Sequence, residues 1–231
     1  MTDFLRYAVY WCPPAGSGLA RFGAGWLGWD IETGQTAPHP DLGPLPRPVA
    51  EITQTPRHYG LHATLKAPFR LAPGATRAAL ATALDDLAGQ LAPVTLPGLR
   101  LARMGGFVAL VPEAEHAPAL QALAGAVVRE LDPLRAALTE AEIARRAPER
   151  LTAPEHANLL RWGYPYVFDH FRFHVTLSGS LPLTEAEALR SALTPHLAPL
   201  LPRPFPLTEL CLCGEDAAGR FHLIRRAALR G

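Results

Sequence analysis

The chain has 231 residues, of which 48% are hydrophobic and 19% charged, with a formal net charge of +1. That length suits one domain, or two small lobes sharing one core, and the apolar content is enough to build it. The balance excludes the strong basic field that grips long nucleic acid non-specifically, and no run of about 18 apolar residues is present to span a membrane.

Taken in chain order, Arg6 to Pro13 (RYAVYWCP) is β-branched and aromatic and is stopped by Pro13-Pro14, which predicts a strand. Asp3 and Arg6 interrupt the first apolar stretch, so no signal peptide is expected and cytoplasm is the default location. Ser17 to Trp29 predicts a glycine-interrupted helix. The run Gly16 to Gly28 resembles a phosphate loop only superficially and reads as a turn or a loosely packed helix. Pro38 to Pro48 holds five prolines and one glycine without a period, which predicts an irregular loop. Leu61 to Leu71 reads as a strand. Thr76 to Leu91 carries Leu80, Leu84, Leu87 and Leu91 at the spacing of one helical face.

Leu99 to Val111, broken at Gly105-Gly106, predicts one or two strands, and His116 to Leu131 an apolar-striped helix. Asp132-Pro133 reads as a cap followed by proline at the first helical position, opening a helix to about Arg146. A shorter helix is expected from Pro154 to Trp162, then a strand from Phe171 to Leu181. Thr184 and Glu187 predict a capping box for a helix reaching about His196. Two closing strands follow, near Thr208 to Cys213 and Arg220 to Ala227. Three cysteines, Cys12, Cys211 and Cys213, are too few and too oddly numbered for a disulfide framework. Cys211 and Cys213 alternate with Leu210 and Leu212, as small side chains on one strand face.

Two stretches have the same order of elements. Residues 61–112 run strand, turn, helix and two strands around a glycine, and residues 171–228 repeat that order. The chain therefore reads as a single domain over residues 1–231 made of two similar lobes about a pseudo-twofold axis. The segment Asp132 to Gly163 has no counterpart in the first unit and reads as a helical insertion.

Each unit opens on the same tetrapeptide pattern, His62-Ala63-Thr64-Leu65 and His174-Val175-Thr176-Leu177. In an extended strand residues i and i+2 share a face. His62, Thr64 and Lys66 would share one face, against Leu61, Ala63, Leu65 and Ala67 on the other. Arg172, His174, Thr176 and Ser178 would share one face, against Phe171, Phe173, Val175 and Leu177. One such strand is ordinarily a solvated polar face over a packed back. Two strands with the same His and Thr in the same order, each opening a duplicated unit, point to one site between them. A side chain that takes a proton and one that gives it are what a metal-free phosphodiester reaction needs.

The pair HATL and HVTL resembles the signature of the two-histidine (2H) phosphoesterase superfamily, which includes RNA 2′,3′-cyclic phosphodiesterases and RNA-ligase-like enzymes. The stretches RYAVYWCPP, YGLHATLKAPF and WGYPYVFDHFRFHVTLSG resemble a bacterial subgroup associated with phosphonate-utilisation operons. The resemblance implies an α+β, bilobal, duplicated cyclic-phosphodiesterase-like fold, with two antiparallel sheets around a central cleft and helices outside. It implies that His62 and His174 act as general acid and base, in an order it leaves open, while Thr64 and Thr176 hydrogen-bond the phosphoryl oxygens. The implied activity is hydrolysis of a cyclic phosphodiester. The substrate would be a ribose cyclic phosphate linked to phosphonate metabolism, or a 2′,3′-cyclic nucleotide or RNA end.

Lys66 and Arg172 are candidates to neutralise a phosphate, or ordinary surface charges. Tyr164 and Tyr166, in Gly-Tyr-Pro-Tyr, either reach the cleft or pack a turn. His58 and His170 each lie four residues before a motif histidine and read as turn positions. His39, His116, His156, His196 and His222 have no partner pattern and read as surface residues. No HxH, HExxH or zinc-type Cys/His spacing occurs, so no metal is expected, though His62 and His174 with Asp169 remain an improvised alternative. No Gly-x-x-x-x-Gly-Lys is present and no G-x-G-x-x-G follows a predicted strand, so no cofactor is expected. Two other readings of the same cleft stay open: a non-catalytic binding module for a phosphorylated sugar or nucleotide, and ligation by ring opening in reverse.

Overall fold

The computed structural model describes residues 4–114 and 117–231. Its strands are β1 (Arg6–Trp11), β2 (Trp29–Asp30), β3 (Gln35–Thr36), β4 (Ala63–Phe69), β5 (Val94–Leu96), β6 (Leu99–Met104), β7 (Phe107–Pro112), β8 (Val175–Thr176), β9 (Phe205–Leu207), β10 (Glu209–Glu215) and β11 (Phe221–Ala228). Its α-helices are α1 (Gly18–Leu27), α2 (Val49–Ile52), α3 (Arg77–Gln90), α4 (Pro118–Glu130), α5 (Glu140–Ala144), α6 (Ala153–Trp162) and α7 (Leu183–Leu197). No helix among the described residues is long and apolar enough to cross a membrane.

The fold is α+β and its pairings are antiparallel. The two expected half-sheets are β11-β10-β1-β4 and β8-β7-β6, and they meet edge to edge at β4–β8 to make one seven-stranded sheet. Helices cover its apolar face. α3 lies on β10 and β11, α7 on β6 and β7, and α4 behind β4. A single hydrophobic core runs through both halves, from Val9, Leu80 and Leu84 to Leu110, Leu189 and Leu212. The opposite face carries a smaller cluster of Ala8, Tyr10, Cys12, Cys211, Cys213 and Phe221, so the three free cysteines are buried packing residues.

The duplicated units do not each build a half of their own. The hairpin β10–β11 of the second unit lies beside β1 and β4, while the hairpin β6–β7 of the first unit lies beside β8. α3 of the first unit packs on the second unit's hairpin, and α7 of the second packs on the first unit's. β5 and β9 pair with each other as a separate two-stranded sheet. Exchange of hairpins ties the two repeats into one core.

Local signals explain most boundaries. Ser17 accepts a hydrogen bond from the Ala20 N–H to start α1, and Gly28, at φ 71°, ends it in the left-handed conformation that glycine adopts without steric cost. Thr76 caps α3 through the Ala79 N–H. Thr152 and Glu155 form a capping box for α6. The loop Pro38 to Pro48 is irregular, as its composition predicts. The predicted helix start at His116 lies outside the described residues.

Three expectations are corrected. The helix predicted from Asp132 to Arg146 is a 3₁₀ turn over Asp132–Leu134 and then only α5. Leu71 bridges to Arg135, and the Ala136 N–H donates to the Arg70 carbonyl, so the extended end of β4 takes the backbone groups that a helix would have used. The capping box at Thr184 does not form, because α7 starts at Leu183 with Pro182 as its cap, and Glu187 instead pairs with Arg190 and Arg103. The strand predicted from Phe171 to Leu181 shrinks to β8, because beyond Thr176 the Ser178 hydroxyl replaces a backbone carbonyl and accepts the Val108 N–H.

Candidate active site

One cross-strand pair organises the site. Ala63 and Val175 face each other across β4 and β8, and both side chains are fully buried in the core. One residue either way along an antiparallel pair, the side chains point to the opposite face. His62 is therefore opposite Thr176, and Thr64 is opposite His174. Directly opposed Cβ atoms lie about 4.5–5.5 Å apart. The four motif side chains thus form one patch on the uncovered face of the sheet.

The two imidazoles are held alike. His62 Nδ1 donates to the Gly60 carbonyl at 2.9 Å, and His174 Nδ1 donates to the Arg172 carbonyl at 2.7 Å, each two residues upstream. A carbonyl only accepts, so each Nδ1 carries the hydrogen and each neutral ring presents a lone pair at Nε2. At His62 that lone pair takes the Thr64 hydroxyl, at 3.3 Å. The Tyr10 ring packs on the His62 ring with centroids 3.9 Å apart, and the Tyr59 ring lies 5.7 Å away. Phe107 stands 5.8 Å from His174. Burial under these rings, and secondarily the neighbouring His174, pushes the His62 pKa down to about 4, against the hydrogen bond to Gly60.

His62, Thr64 and Thr176, but not His174, line a cavity of about 250 Å³, together with Tyr10, Tyr59, Ser178, Tyr164 and Arg146. Tyr10 is fully buried, and its hydroxyl has no hydrogen-bond partner among the described residues. Arg6 also lines the cavity, with its guanidinium in a bidentate pair with Glu215.

Lys66 is not in this cavity. β4 pairs Thr64 with Tyr10 but Lys66 with Val9, so two steps along β4 match one along β1. This bulge turns Lys66 to the covered face and leaves Ala67 and Pro68 lining the cavity. Lys66, the only lysine in the sequence, is 3% exposed. It donates to the Val128 carbonyl at 3.0 Å and lies 3.5 Å from the Asp132 carboxylate. Burial lowers its pKa to about 8, opposed by Asp132.

Arg172 is exposed and donates to the Asp169 and Phe171 carbonyls. It lines a separate groove of about 520 Å³ with Arg100, Arg103 and Asp169, so neither Arg172 nor Asp169 is a cavity residue. Tyr164 lies in the cavity, whereas Tyr166 is 46% exposed and makes an edge contact to the Tyr164 ring. His58 is exposed in a 3₁₀ turn, and His170 faces Glu155 of α6 at 3.6 Å. His222 is held by Asp216 at 2.7 Å and His39 by the Gly25 carbonyl, while His116 lies outside the described residues. Among the described residues no group of three or more His, Cys, Asp or Glu side chains is gathered as a metal site would need.

Tyr10, Tyr59 and Arg146 were not identified from sequence. Tyr10 is one aromatic among several in β1, and only strand pairing selects it. Arg146 carries no local signal, because only the fold of the segment after Asp132 brings it to the cavity.

The model of the family described as "Protein of unknown function (DUF1045)" matches residues 64–222. Two curated relatives carry the name ribose 1,5-bisphosphate phosphokinase PhnN. The protein from Janthinobacterium sp. (strain Marseille) is 33% identical over 219 residues, covering 93% of this chain and 48% of its own length. The protein from Laribacter hongkongensis (strain HLHK9) is 36% identical over 224 residues, covering 96% of this chain and 51% of its own. The chain spans about half the length of the curated relatives it matches. Among solved structures, a phosphoesterase is 17% identical with a TM-score of 0.43, covering 98% of this chain and 99% of its own. E. coli LigT complexed with 3'-AMP is 17% identical with a TM-score of 0.45, covering 99% and 100%.

Proposed function

The chain belongs to the DUF1045 family, and from that premise we propose that it is a metal-independent phosphoesterase that hydrolyses a small cyclic phosphodiester by paired histidine acid–base catalysis. The observation that carries this reading is the Ala63–Val175 pairing, which gathers two His-Thr pairs on one sheet face beside a cavity. In the proposed step water attacks phosphorus and gives a proton to Nε2 of neutral His62. The ring P–O bond breaks, and its electron pair goes to the leaving sugar oxygen. Protonated His174 gives that oxygen a proton. A cyclic diester and water become one phosphomonoester with a free hydroxyl, and solvent returns the histidines to their starting states. The depressed His62 pKa keeps that ring neutral and free to accept a proton at neutral pH, while making it a weaker base than an ordinary imidazole. The Thr64 and Thr176 hydroxyls donate to the non-bridging phosphoryl oxygens as charge builds there.

A cavity of about 250 Å³ favours a sugar phosphate over a longer RNA end, since pockets for drug-sized ligands begin at about 300 Å³. The relatives' name points the same way. Their kinase activity would need a phosphate loop, which this chain lacks, so we assign that activity to the half of those proteins outside the match. Ribose phosphates are then the natural substrate class for this half, with a ribose cyclic phosphate of phosphonate metabolism first among them.

The test is turnover of pentose cyclic phosphates, 2′,3′-cyclic nucleotides and RNA ending in a cyclic phosphate, with and without chelator. Wild type should open the small sugar rings with chelator present. His62→Ala and His174→Ala should each lower kcat by roughly 10²–10⁴-fold. Chelator-sensitive turnover would sink the metal-free scheme. Tight binding without turnover in wild type and both variants would favour a binding module. Ring closure or end joining in place of hydrolysis would favour ligation.

A further inference from the structure

The cavity holds a cation that the proposed chemistry does not use. Two arginines line it, the half-buried Arg6 and the exposed Arg146, and they differ in kind. Arg6 is neutralised by its bidentate pair with Glu215. Arg146 has no carboxylate partner among the described residues, and its guanidinium lies over the Tyr164 ring, 5.0 Å from the centroid. An arginine stacked on an aromatic face keeps its planar donor fork oriented, and that fork matches a phosphate.

The position is built. Arg146 follows α5, which starts with a capping box between Thr139 and Glu142. The same Glu142 carboxylate takes both arms of Arg70, at 3.0 and 2.8 Å, and Arg70 directly follows β4. Arg146 is therefore four residues from a clamp on the strand that carries Thr64. The next residue, Ala147, has φ 46°, a left-handed conformation that costs a non-glycine residue roughly 1–2 kcal/mol. The chain is held in that turn beside the cavity.

We infer that Arg146, stacked on Tyr164, is the recognition group for a second phosphate of the substrate. The substrate class is then a sugar carrying a phosphate monoester in addition to the cyclic phosphodiester. The two threonine hydroxyls and two imidazoles already serve the reacting phosphoryl group, and an uncompensated guanidinium from a separate element answers a separate anionic group. This rests on the phosphoesterase reading for its substrate, but not for its binding test.

Two measurements test it on wild type, Arg146→Gln and Arg146→Lys. The first compares kcat/KM for a pentose cyclic phosphate with and without a 5-phosphate. Wild type should prefer the 5-phosphorylated ring, Arg146→Gln should lose roughly 10- to 100-fold of that preference, mainly through KM, and Arg146→Lys should retain part of it. Equal losses on both substrates would overturn the inference, because Arg146 would then be serving the reacting phosphoryl group. The second measures calorimetric affinity for a pentose 1,5-bisphosphate and a pentose 1-phosphate. Arg146→Gln should weaken the bisphosphate selectively, and an unchanged affinity ratio would overturn the inference. If wild type hydrolyses neither ring, the phosphoesterase reading falls alone and the binding ratio decides the role of Arg146.

Discussion

Ala63 and Val175 face each other at the seam between the two half-sheets, and the whole candidate site is built outward from that contact. Both are buried to 0% exposure, so the core fixes their register. A slip of one residue would turn both histidines into the core, where two imidazoles would have to shed their hydration. The hydrophobic face of the seam thus holds the polar face in place.

The symmetry about this seam makes the two threonines comparable. If each hydroxyl donates to the phosphoryl group, Thr64→Val and Thr176→Val should each lower kcat by roughly 10²–10³-fold, with KM moving less. Thr64→Val carries an added effect, because before substrate takes its hydrogen bond the Thr64 hydroxyl donates to His62 Nε2. Steady-state kinetics on a cyclic substrate would check this. A loss at one threonine only would mean that the strands' symmetry does not extend to the chemistry.

His62 should leave a mark on stability as well as on rate. Its folded pKa of about 4 lies below the ordinary 6.5, so between those values the unfolded chain binds a proton that the folded chain resists. Stability should therefore rise with pH from about 4 to 6.5 and level off above. His62→Ala should remove that rise, as urea unfolding at a series of pH values would measure. The acid limb of kcat/KM should likewise fall near pH 4. A limb at the free-histidine value would remove His62 as the base.

Much of this arrangement was legible in the sequence because it is periodic. Alternation in HATL and HVTL gave the facing of both motifs, leucine spacing gave α3, and an apolar stripe gave α4. What was hidden depends on partners. The bulge that removes Lys66 from the cavity exists only in the pairing of β4 with β1. The helix expected after Asp132 is lost to a bridge with Leu71, more than sixty residues away in the chain. The exchange of hairpins between the repeats is a matter of topology, which identical element orders cannot reveal. Arg146 needed the segment after Asp132 to be folded before it had any address.

Lys66 gives a test of the bulge. Its ammonium is buried on the helix side, away from the cavity, so Lys66→Met should keep turnover within about twofold. Asp132 keeps Arg135 at 2.8 Å and Arg161 at 3.3 Å, so the carboxylate is not stranded, and the stability change should stay within about 1–2 kcal/mol. Burial holds the Lys66 pKa near 8, so in wild type the cost of its charge should ease between pH 8 and 10.5 and stability rise there. The variant should lack that rise. A large loss of turnover with the fold intact would return Lys66 to the site.

Tyr10 separates a ring from its hydroxyl. The ring covers His62, while the hydroxyl is buried without a partner among the described residues. Tyr10→Phe keeps the cover and removes a polar group whose burial costs about 1–3 kcal/mol when unpaired, so stability should hold or rise. Tyr10→Ala removes the cover, and the His62 titration should move up toward the ordinary histidine value. NMR titration of the imidazole would follow it. A fall in stability with Tyr10→Phe would show that the hydroxyl has a partner after all.

Glu142 ties the segment after Asp132 to the end of β4, and its removal should separate docking from folding. The Arg70 guanidinium, with the Thr139 N–H and hydroxyl, brings the Glu142 pKa down to about 2 against the effect of burial. A carboxylate with a depressed folded pKa stabilises the fold fully above its ordinary value near 4.5, and that contribution fades as pH falls toward 2. Glu142→Gln should cost about 1–2 kcal/mol at pH 7 through the lost charge-assisted pair, and the gap to wild type should narrow at pH 3. Because Arg146 lies four residues beyond this clamp, the backbone amides of residues 139–146 should exchange faster in the variant, and preference for a substrate with two phosphates should fall. Faster exchange with that preference intact would mean that Tyr164 alone holds Arg146 over the cavity.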